Sequence, residues 1–332
     1  MAETHTVGSG KTYATWAAAE SAQNGDMAGR GVVGFEGTGG DLGVVAVSGG
    51  SNIDSSNYIR LYPASGEEHD GKTTSDDGCY VDADDSTAFN ISDEYVRVEG
   101  IRVQGSTSAE WSASTGVTCT ADNVLIDGLV VVYTGAQTNG LYYGISVASA
   151  SSTVQNVTVY DNTTNAGDAT AITAVSSDGG THSVTVLNCS VNGSFTTGFL
   201  FQQNSGTLNG VSTNNVAMNC GNDFLNLGSA ANVTWTYGCS SDATADDEGG
   251  SGNLISKTDS NQWVSVGSDH NVKDDSADIY DSGTNSGAPG EDILGVSRPQ
   301  ATNSCIGAFE LTAGGGTTKK RVVAAFAAFL SR

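Results

Sequence analysis

The sequence of 332 residues predicts an all-β chain coiled as a parallel β-helix, a solenoid with a short capping helix at its N-terminal end and an irregular section at its C-terminal end. Three observations carry this. Short segments rich in Val, Ile and Thr recur with apolar residues at i, i+3 and i+5, a second and shorter series precedes each of them, and both are bounded by Gly, Asn, Asp and Ser. The connections between them are too short and polar for the helical crossovers of an open parallel sheet. A coil in which each strand lies over its equivalent one turn later resolves the conflict.

The longer series runs Val98/Ile101/Val103, Ile126/Leu129/Val131, Val154/Val157/Val159, Val186/Cys189/Val191, Leu208/Val211/Thr213 and Ala230/Val233/Trp235, with starts stepping by 28, 28, 32, 22 and 22 residues. The shorter series, Gly116-Val117, Gly144-Ile145, Ala171-Ile172, Gly198-Phe199 and Asp223-Phe224, steps by 28, 27, 27 and 25. The pattern reads as two strands per repeat. The skip at i+3 breaks strict alternation and places a bend at Glu99-Gly100, Asp127-Gly128, Gln155-Asn156, Leu187-Asn188 and Asn209-Gly210. Turns rise by ~4.8 Å, so Ile126, Val154 and Val186 are expected in one internal column. The longer steps leave extra residues at 163–168 and 176–181, read as loops projecting from one side.

Four segments follow. Residues 1–30 form an N-terminal cap, because Tyr13 to Ala22 is the best helical stretch and sets Trp16 and Ala19 on one face. Residues 31–240 form the solenoid. Residues 241–312 form its irregular C-terminal part, opening with the acidic, Gly/Ser-rich stretch 242–252 before Leu254-Ile255 and 263–266 resume. Residues 313–332 are a Gly-rich linker followed by Lys319, Lys320, Arg321 and the apolar run 322–330. Nine apolar residues cannot cross a bilayer, which needs ~20. The tail has two readings: a cloning remnant or folded-back helix, or a basic-apolar anchor in which Lys319, Lys320, Arg321, Phe326, Phe329 and Leu330 dock on a partner protein.

Thirteen Lys+Arg against 37 Asp+Glu give a net charge of -24. That sign disfavours nucleic acid and anionic membrane surfaces as partners. Charged residues are only 15% of the chain, so Ser, Thr, Asn and Gly must wet the surface. The six cysteines show no C-x-x-C and read as isolated core residues. Met1 to His5 carries neither a basic nor an apolar leader segment, so no secretory signal is expected.

The opening stretch Thr6 to Glu20, the strand Tyr58-Ile-Arg-Leu-Tyr-Pro63, the repeated coils, and the ending Asp292-Ile-Leu-Gly-Val-Ser-Arg-Pro-Gln300 with Ile306-Gly-Ala-Phe-Glu310 together resemble right-handed β-helix proteins of the pectate-lyase-like superfamily, of the kind found in bacteriophage virions. The resemblance covers nearly residues 6–310. It implies the fold and leaves function open among lyases, hydrolases, esterases, adhesins and tailspikes. The preferred expectation is a non-enzymatic virion surface protein: a capsid decoration, spike or tail fibre. It would bind other virion proteins through one end or the tail, with polar loops facing water or host surface glycans, and a homotrimer is implied by the resemblance. The alternative is an extracellular polysaccharide lyase or glycoside hydrolase.

The chemistry behind that ranking is sparse. A lyase of this resemblance wants Ca²⁺ and a cationic base. The pairs Asp76/Asp77, Asp84/Asp85, Asp246/Asp247 and Asp274/Asp275 are oxygen donors of the kind Ca²⁺ takes, but neighbours in a strand point to opposite faces. No Lys or Arg lies between Arg102 and Lys257, leaving Arg60, Arg97 and Arg102 as the cations within reach of the early coils. For hydrolysis, Asp122, Asp127, Asp161, Asp168 and Asp223 are the candidate carboxylates. His5, His69, His182 and His270 look isolated, and Gly8-Ser-Gly-Lys-Thr12 fails the phosphate-loop pattern because its first Gly falls on His5. No catalytic residue, resident cofactor or metal ligand is assigned.

Overall fold

The computed structural model of the chain describes residues 2–73, 78–105, 113–133, 141–149, 151–161, 169–228 and 231–312. Three parallel sheets wrap a single interior and hold nine, eight and seven strands among the described residues. Each turn visits them in fixed order. Val124–Asp127 lies in the first sheet, Val130–Tyr133 in the second and Leu141–Val147 in the third. The next turn repeats the order with Ser151–Gln155, Thr158–Asp161 and Ala169–Ser176. About seven such turns form a parallel β-solenoid, and among the described residues no helix interrupts it between 96 and 236.

The expected internal column is present. Ile126 pairs with Val154 and Val154 with Val186, and all three are buried. The shorter series also holds through every turn, since Val117, Ile145, Ile172, Phe199 and Phe224 are successive register partners. Each turn nevertheless has three strands. The i, i+3, i+5 segment is itself two strands in different sheets, joined by a residue in the left-handed region: Gly100 (φ 66), Gly128 (φ 68), Asn156 (φ 52), Asn188 (φ 49) and Asn214 (φ 56). Gly and Asn tolerate that conformation at least cost, which is why they mark the bend.

The last two turns correct the sequence reading. Val186 pairs with Ser212, and Ser212 with Trp235, so the true steps after 186 are 26 and 23 residues, and the bend falls at Asn214 instead of Gly210. Val211 points outward and is exposed. The interior positions are filled by Ser212, Asn215 and Ala217. Asn215 keeps its place because its amide is satisfied: Oδ1 accepts from Cys189 N at 2.8 Å, and Nδ2 donates to Val186 O and Ser212 Oγ, both at 2.8 Å. A pattern search for apolar residues passes over a hydrogen-bonded polar interior.

Both ends are covered. The helix Trp16–Gln23 is N-capped by Thr15, whose hydroxyl accepts from Ala18 N, and it buries Trp16, Ala19 and Glu20. At the other end, a turn at Thr244–Asp246 buries Ala245 against Phe224, whose N–H donates to Thr244 Oγ1. Gly250 passes so close that a Cβ there would lie 1.4 Å from the Trp235 carbonyl oxygen.

Residues 254–310 run along the outside of the second sheet. Val130, Val132, Tyr160, Val216, Met218 and Cys239 form one apolar layer with Trp263, Ile279, Ile293, Leu294, Ile306 and Phe309. This explains why Val130–Tyr133 is buried on both faces. The segment is held by Arg298, which donates to Glu310 Oε1 (3.0 Å), Asn156 Oδ1 (3.2 Å), Gly307 O (3.2 Å) and Ala308 O (3.0 Å). Arg298 and Glu310 side chains are both 1% exposed. Asp292 accepts from Leu294, Val296 and Glu310 N–H groups. The Arg-Pro and Ile-Gly-Ala-Phe-Glu elements are therefore two halves of one buried clasp.

Candidate functional site

The connections from the third sheet back to the first line up along one edge of the solenoid. Where successive turns present Glu94, Thr120, Asp122, Ser149, Asp178 and His182, they border a shallow cleft of ≈ 390 Å³. A second hollow of ≈ 280 Å³ continues it towards the N-terminal end and shares Ser92 and Glu94. Its wall is fixed by Asp93, which accepts from Asn24 Nδ2 at 2.7 Å and Gly50 N at 3.0 Å.

His182 is the chemically distinctive residue of the cleft. It opens a strand, Thr181–Leu187, with its ring turned to the buried side of the alternation. Nε2 lies 2.8 Å from Asp178 Oδ1, and Nδ1 has no partner. Asp178 reaches back because Gly179 (φ 84) turns the chain there and Gly180 N also bonds to its Oδ1 at 2.8 Å. The His182 hydrogen bond, with that of Gly180, holds the Asp178 carboxyl below its ordinary range. The floor is a hydroxyl relay in which Ser149 donates to Ser152 Oγ and Ser152 donates to Ala121 O. Such a surface accepts hydrogen bonds from hydroxyl groups and repels anions, since its described lining holds three carboxylates and no Lys or Arg.

His182, isolated in the sequence, is therefore paired in the fold, and the spacing Asp178-x-x-x-His182 around a Gly-Gly turn is the signal of that pairing. The other histidines are also engaged. His69 Nε2 meets Gly128 O at 2.7 Å, His5 packs against Tyr13 and Phe35, and His270 stacks between Tyr160 and Trp263.

The candidate carboxylates are dispersed. Asp122 borders the cleft. Asp127 ends a first-sheet strand and accepts from Asn156 Nδ2 at 2.9 Å. Asp161 ends a second-sheet strand and accepts from Tyr142 OH at 3.1 Å. Asp223 lies in the third sheet beside the C-terminal cap, bonded to Cys220 N and to Ser241 N and Oγ, and burial raises its carboxyl. Asp168, Asp76, Asp77 and the loop 163–168 lie outside the described residues, as do Lys319, Lys320, Arg321, Phe326, Phe329 and Leu330.

The arginines do not converge either. Arg60 pairs with Glu99 at 2.5 Å, Arg97 lies over the Tyr58 ring at 4.6 Å, and Arg102, buried in the second sheet, donates to Thr73 O. Among the described residues no cluster of three or more His, Cys, Asp or Glu could hold a metal ion, and no helix is long and apolar enough to cross a membrane. All six cysteines are free thiols.

The fold and this edge define a three-sided parallel β-solenoid with an acidic, hydroxyl-accepting cleft along one corner. Comparison with family models, with curated proteins and with solved structures finds no match for the chain.

Proposed function

We propose that the chain is a non-catalytic structural protein of a bacteriophage virion, an exposed decoration, spike or fibre that touches host surface glycans. The observation that carries this reading is the continuous stack itself. Its turns are hydrogen-bonded from end to end, it is capped at both ends, and the clasp around Arg298 binds its outer layer. That construction suits a stiff spacer more than a catalyst, and Asp127, Asp161 and Asp223 are engaged in holding turns together. The sequence of 313–332, a Gly-rich linker with a basic and apolar end, supports docking on another virion protein. Trimerisation rests on the resemblance alone.

One observation favours the competing reading, an extracellular enzyme acting on a polysaccharide. His182 and Asp178 form an acid–base pair in a cleft with Glu94 and Asp122. Its charge points to a neutral glycan in place of a uronate polymer. Density-gradient fractionation of particles from cells producing the protein tests both. Co-sedimentation with virions, lost on deleting 313–332 while thermal melting is unchanged, is the expected result. Recovery as a free monomer that degrades a neutral glycan would overturn it.

A further inference from the structure

The seam between the second sheet and the outer layer of residues 254–310 contains a histidine sealed on every side. His270 is 1% exposed. It sits on the strand Asp269–Val272, paired antiparallel with Trp263–Ser265. Its ring stacks on Tyr160 at 3.9 Å and on Trp263 at 4.2 Å between centroids, so one wall belongs to the solenoid and the other to the layer. Nδ1 lies 2.7 Å from Thr158 Oγ1, and the His270 N–H donates to Tyr160 OH. Nε2 has no partner. A proton added to the ring would bury a cation away from water and leave an N–H with nothing to donate to, a desolvation cost that attraction to the two ring faces offsets only in part.

The charged groups around it offer little compensation. Asp269 on its own strand is paired with Lys72 at 3.3 Å, from the segment that meets the layer where Thr73 N donates to Ser268 O. Asp70 lies on that same segment and bears on Tyr160. Arg102, in the column of Val130 and Thr158, adds a further positive charge.

We propose that residues 254–310 act as a strap that releases from the solenoid in acid, with protonation of His270 as the trigger. Release uncovers the apolar strip of Val130, Val132, Tyr160, Val216 and Met218. The direction follows from linkage. Burial holds the docked ring well below its ordinary 6.5, so the docked state binds the proton more weakly than the released one. Docking is at full strength above that value, and its equilibrium constant falls by up to about tenfold for each pH unit below it until the docked-state value is reached. Asp292, also in the strap, has a carboxyl raised by burial and pulls the other way, so a variant lacking the imidazole separates the two.

The test is hydrogen exchange followed by mass spectrometry on the full chain from pH 8 to 4.5, corrected for intrinsic exchange. In the wild type, opening of 254–310 should increase at least about tenfold between pH 6.5 and 5 while residues 169–228 keep their protection. In His270→Phe, which keeps the stacking and removes the titration, opening should change by less than about twofold, and His270→Gln serves if the Phe variant does not fold. Constant protection of 254–310 in the wild type overturns the proposal, as does loss of protection in strap and solenoid together, or the same fall in the variants.

Discussion

Replacing Arg298 with Met tests whether the clasp holds the outer layer to the solenoid. The guanidinium is 1% exposed and makes four hydrogen bonds, to Glu310, Asn156, Gly307 and Ala308. Methionine fills much of the volume and satisfies none of them. Glu310 Oε1 keeps only the Cys305 N–H at 2.7 Å, and its carboxylate becomes an uncompensated buried charge. Removing one partner of such a pair costs about 3–5 kcal/mol, whereas replacing both with apolar groups of similar volume is close to neutral. The expected outcome is a loss in that range for Arg298→Met and partial recovery in Arg298→Met/Glu310→Met, which removes the buried charge but leaves Asn156 Oδ1 and Cys305 N–H without these partners. The assay is urea unfolding read by hydrogen exchange separately over 254–310 and over 169–228. Because the hydrogen bond that ties Arg298 to the solenoid among the described residues is the one to Asn156, the loss should fall on the first segment. A cost below about 1 kcal/mol, a loss confined to the solenoid, or a double variant as unstable as the sum of the single ones would refute the reasoning.

Two further outcomes follow from buried groups. Asn215→Ala should cost about 1–3 kcal/mol by chemical denaturation, because it strands Cys189 N in the interior; a neutral result would mean that water replaces the amide. Burial pushes the thiol of Cys119 up to about 11 and those of Cys79, Cys189 and Cys305 up to about 12, against 9.0 when exposed. At pH 8 the folded protein should therefore leave these four unreactive to a thiol reagent that modifies them after denaturation. The stability linked to their protonated forms is fully present below pH 9 and is lost as pH rises towards 11–12; rapid labelling of the native chain at pH 8 would contradict this.

The periodicity that made the solenoid legible is a direct result of stacking. A residue facing the interior must sit over its counterpart, so Val117, Ile145, Ile172, Phe199 and Phe224 repeat in the sequence as they do in space. The bend also announced itself, because a left-handed residue at the corner selects Gly or Asn. The register fails at Ser212 and Asn215 because a polar group is as good as an apolar one in the interior once its hydrogen bonds are closed, and two of the Asn215 partners, Cys189 N and Val186 O, come from the preceding turn.

The cleft was not legible for a related reason. Glu94, Asp122, Ser149 and His182 are separated by about one turn each, and only the stacking of connections along one edge makes them neighbours. The clasp shows the same division. Sequence alone marked Arg298 and Glu310 as parts of an ending motif. That they meet each other and Asn156, 142 residues away, was decided by the C-terminal layer lying against the second sheet. Local sequence specifies strand, bend and cap through backbone preference and side-chain alternation. Contacts between distant segments depend on which apolar face remains uncovered, and that is settled only when the chain is packed.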